Sequence, residues 1–251
     1  MDNAPAIPGE LLSRLAQFGR LHILDSVAST NDHAFSLADS REPAIVVARR
    51  QTRGRGRFRR RWFGDDNSLL FSLLLFPAPG SPEQAGLTQL AGLALCIAIE
   101  RVTGLKPQIR WPNDVTVEGK KLAGILCESR RDAVVVGVGV NVNQTSFPET
   151  LKDAVSLQLA TGRSWDKFAL LEAFVAEFTL WLDRSHKGES QTCLSAIKDR
   201  SAVLLHRVEV RSFLRRHVGT VIDLDAEGRI LLRLDSGRLV LLNAGQVRRL
   251  R

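Results

Sequence analysis

The chain has 251 residues, 44% of them hydrophobic, with 35 basic and 27 acidic side chains for a formal net charge of +8. That is enough to bury a full core, as one large domain or as one large and one small. Met1 to Glu10 has neither the basic start nor the apolar run of a signal peptide, and no segment offers the roughly 18 to 20 uncharged apolar residues of a membrane helix, so export and membrane insertion are not expected.

In chain order, Leu11, Leu12, Leu15 and Phe18 stand at helical spacing, leaving no room for a separate DNA-reading helix-turn-helix. His22 to Leu24 reads as a strand. Ser29-Thr30-Asn31-Asp32 reads as a helix start, with Ser29 as N-cap and Asp32 as its partner three residues on. Such a terminus with spare hydroxyls is also a ready site for an anion or polar ligand. Ala44 to Ala48 is a buried strand leading into RRQTRGRGRFRRR, residues 49–61. This run carries eight arginines (Arg49, Arg50, Arg53, Arg55, Arg57, Arg59, Arg60 and Arg61) and no acid; without it the chain has 27 basic and 27 acidic groups, so the basicity is local. Gly54 and Gly56 let backbone N–H groups and guanidinium forks approach one anion. Having little to bury, the run is expected to be mobile when empty and ordered over an anion.

Leu69 to Phe76 is a second strong strand, and Ser81-Pro82-Glu83-Gln84 opens a core helix that stops at Gly104, with Gly86 and Gly92 allowing close packing. Ile109 to Trp111 is a short strand broken by Pro112-Asn113-Asp114. Val115 to Val117 and Lys121 to Glu128 pair around a Glu118-Gly119 turn, and Ala133 to Asn143 returns as a further strand. Gly137, Gly139, Asn141 and Asn143 share one face of that strand. A ligand or backbone lying against the face explains the glycines; a bulge is the alternative. Trp165 to Leu182 is an amphipathic helix capped by Ser164 or Asp166, and Ser190 to Ile197 a shorter one. From Val203 short strands with turns at Asp225 to Gly228 and Asp235 to Gly237 suggest a small β-barrel. Its arginines, scattered along strands, read as a solvated face. Cys96, Cys127 and Cys193 read as reduced thiols, and the five histidines form no metal pair.

Four segments, QTRGRGR (51–57), RWPNDV (110–115), KKLAGIL (120–126) and GVGVN (137–141), occur in one order. In combination they closely resemble the biotin protein ligase family, in its short form without a DNA-binding domain, over about Leu24 to Arg251. The resemblance implies an α+β fold: a mixed β-sheet packed against helices, the biotin–lipoate ligase core related to class II aminoacyl-tRNA synthetases, then a C-terminal SH3-like barrel. It implies a catalytic domain over 1–198, a barrel over 199–251, and a cytoplasmic enzyme that activates biotin with ATP and Mg²⁺ to biotinyl-5′-AMP. The product is passed to a lysine of a biotin carboxyl carrier protein. Neither nucleic acid nor membrane is an expected partner, and the chain is expected to work as monomer or homodimer.

The same resemblance assigns residues. Ser29, Thr30, Asn31, Gln51, Arg55, Gly56, Arg57, Lys121, Gly124, Gly137 and Gly139 match biotin-binding positions. Arg57, Arg60, Asn113, Lys121 and Asn141 match nucleotide-binding positions, with Asn113 and Asn141 also implicated in metal binding; no metal ligand set follows. Lys121, Arg55, Arg57 and Asp114 match catalytic ones, Asp114 as the group that orients or deprotonates the incoming amine. Two departures stand out: Phe58 and Arg59 replace an arginine and a glycine of the family loop, and Arg110 replaces a lysine. The segment after Trp62, FGDDNS, is also short. The rival readings are a lipoate ligase or octanoyl transferase of the same core, and an arginine-rich nucleic-acid-binding protein, for which eight neutralised phosphates imply a log–log salt slope of roughly −7.

Overall fold

The computed structural model describes residues 9–77, 84–212 and 215–250. The expected cap at Ser81 and Pro82 lies outside them. The elements are helix α1 (Gly9–Ala16), strand β1 (Arg20–Val27), helix α2 (Thr30–Ser36), strands β2 (Ala44–Gln51) and β3 (Ser68–Leu75), and helix α3 (Gln84–Thr103). Strands β4 (Gln108–Arg110), β5 (Asp114–Val117), β6 (Lys120–Arg130) and β7 (Ala133–Asn141) follow. Helices α4 (Leu157–Thr161), α5 (Lys167–His186) and α6 (Ser190–Asp199) precede strands β8 (Arg207–Arg211), β9 (Arg216–Leu224), β10 (Ile230–Leu234), β11 (Leu239–Leu242) and β12 (Gln246–Arg249).

The first seven strands form one mixed sheet in the order β1-β2-β3-β7-β6-β5-β4, with only β1 and β2 parallel. A parallel pair needs a crossover, and α2 supplies it. The β5–β6 hairpin turns through Glu118 and Gly119, both with positive φ (51° and 76°), the conformation a tight hairpin favours. Every residue of β3 is buried because both faces of the sheet are covered. Helices α3 and α5 cover one face, while Ala34 and Phe35 of α2 pack with Val46, Leu74 and Val135 on the other. This removes the polar alternation of a half-exposed strand, leaving Ser72 as the buried polar exception inside LLFSLLLF.

Helix α3 is apolar and long enough over Gly86–Thr103 to cross a membrane, but two-thirds of that stretch is buried inside the fold. It stops where Gly104 takes a left-handed conformation (φ 77°) and donates its N–H to the Glu100 carbonyl. A Cβ at Gly92 would lie 3.5 Å from Ile109, ordinary contact, so packing there does not require a glycine. Asp166, not Ser164, caps α5 by accepting the Phe168 N–H. The short helix α4 had no periodic signature.

The last five strands make an antiparallel sheet, β11-β10-β9-β8-β12, as expected of an SH3-like module. Val208, Val210, Val221, Ile230 and Leu232 join the main core. Arg200 to Ala202 pair with Ile109, and the buried Trp111 indole N–H donates to the Gly228 carbonyl at 2.7 Å. The β4 edge is thereby tied to the second sheet. Arg207 pairs with Asp235 and Arg229, in the turn before β10, with Asp225, while Arg211 and Arg216 share the buried Glu209 carboxylate. All three cysteines are buried thiols outside any disulfide, and burial pushes Cys96 and Cys127 up to about 12.

Candidate active site

One cavity of about 1060 Å³ opens between the arginine loop, the glycine-bearing strands and the second sheet. Every site residue named from the sequence lines it: Ser29, Thr30 and Asn31 from the start of α2, Gln51 from the end of β2, and Arg55, Gly56, Arg57 and Arg60 from the loop. Asn113 comes from the β4–β5 turn, Asp114 from the start of β5, Lys121 and Gly124 from β6, and Gly137, Gly139 and Asn141 from β7. Residues up to 112 positions apart in the chain therefore converge because β6 and β7 run side by side under the loop.

The start of α2 is built differently from the expected capping arrangement. Ser29 is the N-cap residue by backbone, but its side chain makes no capping bond, and Asp32 turns to arginines instead. The Thr30 N–H donates to Gln51 Oε1 at 2.8 Å. The Ser72 hydroxyl lies 2.7 Å from both Thr30 Oγ1 and Asn31 Oδ1. Asn31 Oδ1 can only accept, so the Ser72 proton goes there and Thr30 supplies its own. Asn31 Nδ2 donates to Glu128 Oε2 at 2.7 Å and to the Leu126 carbonyl. The Asn31 amide is thus fully engaged by protein, and its place in the wall is set by β3 and β6.

No register shift occurs in β7, which removes the bulge reading of its glycines. Their missing side chains make room for two side chains rather than for backbone. A Cβ on Gly137 would lie 2.0 Å from Asn31 Oδ1, and one on Gly139 2.4 Å from the Trp62 indole. Trp62 also covers Gly124, where a Cβ would approach it to 2.8 Å. The indole N–H is buried without a partner among the described residues. Sequence reasoning passed over Trp62, Ser72 and Glu128; the signals were an aromatic ending the arginine run and two polar residues inside apolar strands.

The loop itself folds back into a small hairpin. Arg55 pairs with Arg61, the Gly56 N–H donates to the Arg60 carbonyl at 2.7 Å, and the Trp62 N–H to the Gly54 carbonyl. The Gly56 N–H is therefore spent inside the loop rather than offered to an anion. Phe58, not the position of the missing family glycine at Arg59, takes the left-handed conformation (φ 56°), which an aromatic residue adopts at a cost. The neck is closed by a bidentate Arg50–Asp66 pair (2.5 and 2.7 Å), while Asp65 accepts from the Asn67 N–H and from Gln144. These two acids tie off the shortened FGDDNS segment.

Charge is unevenly spent across the cavity. Arg49, Arg50 and Arg55 are paired with Asp25, Asp66, Asp32 and Glu128. Arg57 has no ion pair among the described residues, and burial lowers its guanidinium from its ordinary value against the opposing pull of Asp114 and Cys127. A desolvated, unpaired cation is where an anion gains most. Lys121 Nζ lies 2.5 Å from Asp114 Oδ1 and over the Trp62 ring, and Arg110 holds the other Asp114 oxygen at 3.0 Å. Asn113 Nδ2 donates to the Ile125 carbonyl and Asn141 Nδ2 to the Val155 carbonyl, so both amides also brace the walls.

A model of the biotin/lipoate A/B protein ligase family matches residues 23–144. The bifunctional ligase/repressor BirA of Bacillus spizizenii is 32% identical over 250 residues, covering 92% of this chain and 77% of that protein. The biotin–[acetyl-CoA-carboxylase] ligase of Paracoccus denitrificans is 32% identical over 225 residues, covering 85% of this chain and 94% of that protein. The chain belongs to the biotin protein ligase family. The biotin protein ligase of Aquifex aeolicus, solved in complex with biotin and ATP, superposes with a TM-score of 0.76 at 29% identity, covering 92% of this chain and 99% of that one.

Among the described residues no group of three His, Cys, Asp or Glu is placed to hold a metal ion. Oxygen donors lining the cavity include the Asp114, Asp153 and Glu209 carboxylates and the Asn113 and Asn141 amides. Such a set fits a magnesium ion that arrives on nucleotide phosphates and needs only one or two protein oxygens.

Proposed function

We propose that this chain is an ATP-dependent biotin protein ligase. The biotin carboxylate attacks the α-phosphorus of ATP and expels pyrophosphate; the amine of a carrier-protein lysine then attacks the acyl carbon of biotinyl-AMP and expels AMP. The observation that carries this reading is the convergence of the Lys121 ammonium and the Arg57 guanidinium, which has no ion pair among the described residues, on a cavity lined by Gly124, Gly137 and Gly139 with Asn31 and Trp62 lying against them. Two anions must meet in the first step, and fixed cations placed where charge develops lower that barrier without reorganising.

In this reading Lys121 stands between the carboxylate and the phosphorus, and Arg57 and Arg60 hold phosphate oxygens. Thr30, Asn31 and Gln51 form the polar end of the biotin pocket, with Ser29 Oγ spare for a ligand. Asn113 and Asn141 border the nucleotide, and Mg²⁺ neutralises the departing pyrophosphate. Once the adenylate has left Lys121 less committed, Asp114 accepts a proton from the acceptor amine. The catalytic unit is residues 1–198, with 199–251 closing one side of the cavity. The acceptor is a biotin carboxyl carrier protein, and buried reduced cysteines favour a cytoplasmic setting.

Nucleic-acid binding is disfavoured because three of the eight loop arginines are already neutralised within the chain. The deciding experiment is ATP–pyrophosphate exchange with biotin, lipoate or octanoate as the acid. Exchange is expected with biotin alone; exchange with lipoate or octanoate but not biotin overturns the reading.

A further inference from the structure

Two carboxylates surround one guanidinium at the edge of the cavity. Arg55 donates from both terminal nitrogens to Asp32, at 2.5 and 3.0 Å, and from one of them to Glu128 Oε2 at 3.0 Å. Each acid is itself held by a second group. Arg130, stacked on Phe35 with its guanidinium carbon 4.2 Å from the ring centroid, donates to Asp32 at 2.9 Å; Asn31 donates to Glu128. The cluster is two guanidiniums against two carboxylates, neutral as a unit. A phosphate approaching Arg55 meets two carboxylates already bound to it, whereas Arg57 has no ion pair among the described residues.

Resting on the ligase reading above, we propose that Arg55 is a positioning residue: a latch that hangs the loop hairpin on α2 and β6 through Asp32 and Glu128, and so fixes where Arg57 and Trp62 stand. The backbone makes the transmission possible. Residues 54–62 are cross-linked by the Arg55–Arg61 bridge and the Gly56 and Trp62 N–H bonds, so they move as one piece. Arg55 is at one end of that piece, and at the other Trp62 lies on Gly139 and Gly124. The three side chains of the latch are between 29% and 39% exposed, a setting in which ion pairs are individually weak. A weak bidentate latch holds a loop shut over a ligand and still releases it on the time scale of exchange.

The two roles for Arg55 give opposite signs in one experiment. If Arg55 were itself the phosphate ligand, removing its acids with the D32N/E128Q pair would free its charge, and adenylation would keep its rate or gain. If it is a latch, D32N/E128Q reproduces Arg55→Ala: escape of biotinyl-AMP from the full-length enzyme rises about tenfold in both, and the triple variant is no worse than either. Arg55→Lys, a cation unable to grip two carboxylates, behaves like the alanine variant. Additive effects, or faster adenylation with unchanged escape in D32N/E128Q, overturn the proposal. A second measurement needs no ligand: chymotryptic cleavage after the exposed Phe58 is expected to be about tenfold faster in D32N/E128Q than in the parent, at matched thermal stability. Equal cleavage sinks the latch even if biotin activation is robust. Faster cleavage in a chain that activates no biotin leaves the latch standing and removes the ligase reading.

Discussion

Asn31 occupies the space that a side chain at Gly137 would need: its Oδ1 stands 2.0 Å from the position of a Cβ there. The glycine is thus a condition for the α2 terminus to dock against β7. Gly137→Ala is expected to push Asn31 out, break its bonds to Ser72 and Glu128, and cost about 1–3 kcal/mol of stability, as overpacking does. Biotin binding should weaken along with it, and calorimetric titration alongside a thermal melt checks both. An alanine variant with parent-like melting and affinity would show that Asn31 moves freely.

Lys121 and Asp114, on the adjacent strands β6 and β5, form an ion pair of 2.5 Å at the cavity wall. Lys121→Ala removes the cation next to the developing charge and is expected to cost about 2.7–4 kcal/mol of barrier, the scale of a single lost electrostatic contact in an active site. Biotin-dependent pyrophosphate exchange should fall by at least about a hundredfold with little change in melting temperature. Asp114→Asn is expected to spare exchange more than it spares transfer to the carrier, because the amine attacks only in the second step. Equal losses in the two assays would remove Asp114 from that step.

Much of this arrangement was legible in the sequence. Strand order within the β5–β6–β7 meander followed from the Glu118-Gly119 turn, whose residue types specify the geometry, and from the short link that returns the chain at Ala133. Lys121, Gly124, Gly137 and Gly139 came together as expected because adjacent antiparallel strands carry them. What was not legible depended on pairing between distant segments. Nothing local tells whether Arg55 will find an external anion or Asp32 and Glu128, since these partners are 23 and 73 residues away. Asp32 looked like a capping partner for Ser29 at the right spacing, yet two arginines outbid a backbone N–H for its charge.

Stability should depend on pH through His22. Burial lowers its pKa from the ordinary 6.5, with His33 and Arg20 adding repulsion, and its Nε2 is buried without a partner among the described residues. A histidine lowered in the folded state binds fewer protons than in the unfolded chain, so its contribution is complete above the unfolded value near 6.5 and is lost as pH falls below it. The melting temperature is expected to decline from about pH 7.5 to about pH 5.5, and His22→Asn to flatten part of that decline. His206, which burial also lowers, contributes in the same direction. An unchanged slope in the asparagine variant would assign the effect elsewhere.

The bond from the Trp111 indole to the Gly228 carbonyl fixes how the second sheet closes the cavity. Trp111 is 2% exposed, and it opens the turn that leads through Asn113 to Asp114 at the cavity wall. Trp111→Phe keeps an aromatic ring but leaves that carbonyl buried and unpaired, a loss of about 1–3 kcal/mol. The damage should be local: hydrogen exchange is expected to quicken in β9 and β10, which flank Gly228, before it changes in β3 at the centre of the main sheet. Activity should fall through a raised nucleotide KM more than through kcat, because the wall shifts while Lys121 and Arg57 stay in place. Faster exchange in β3 as well would mean that the two sheets unfold as one cooperative unit, and that Trp111 supports the whole core rather than the docking of the smaller sheet.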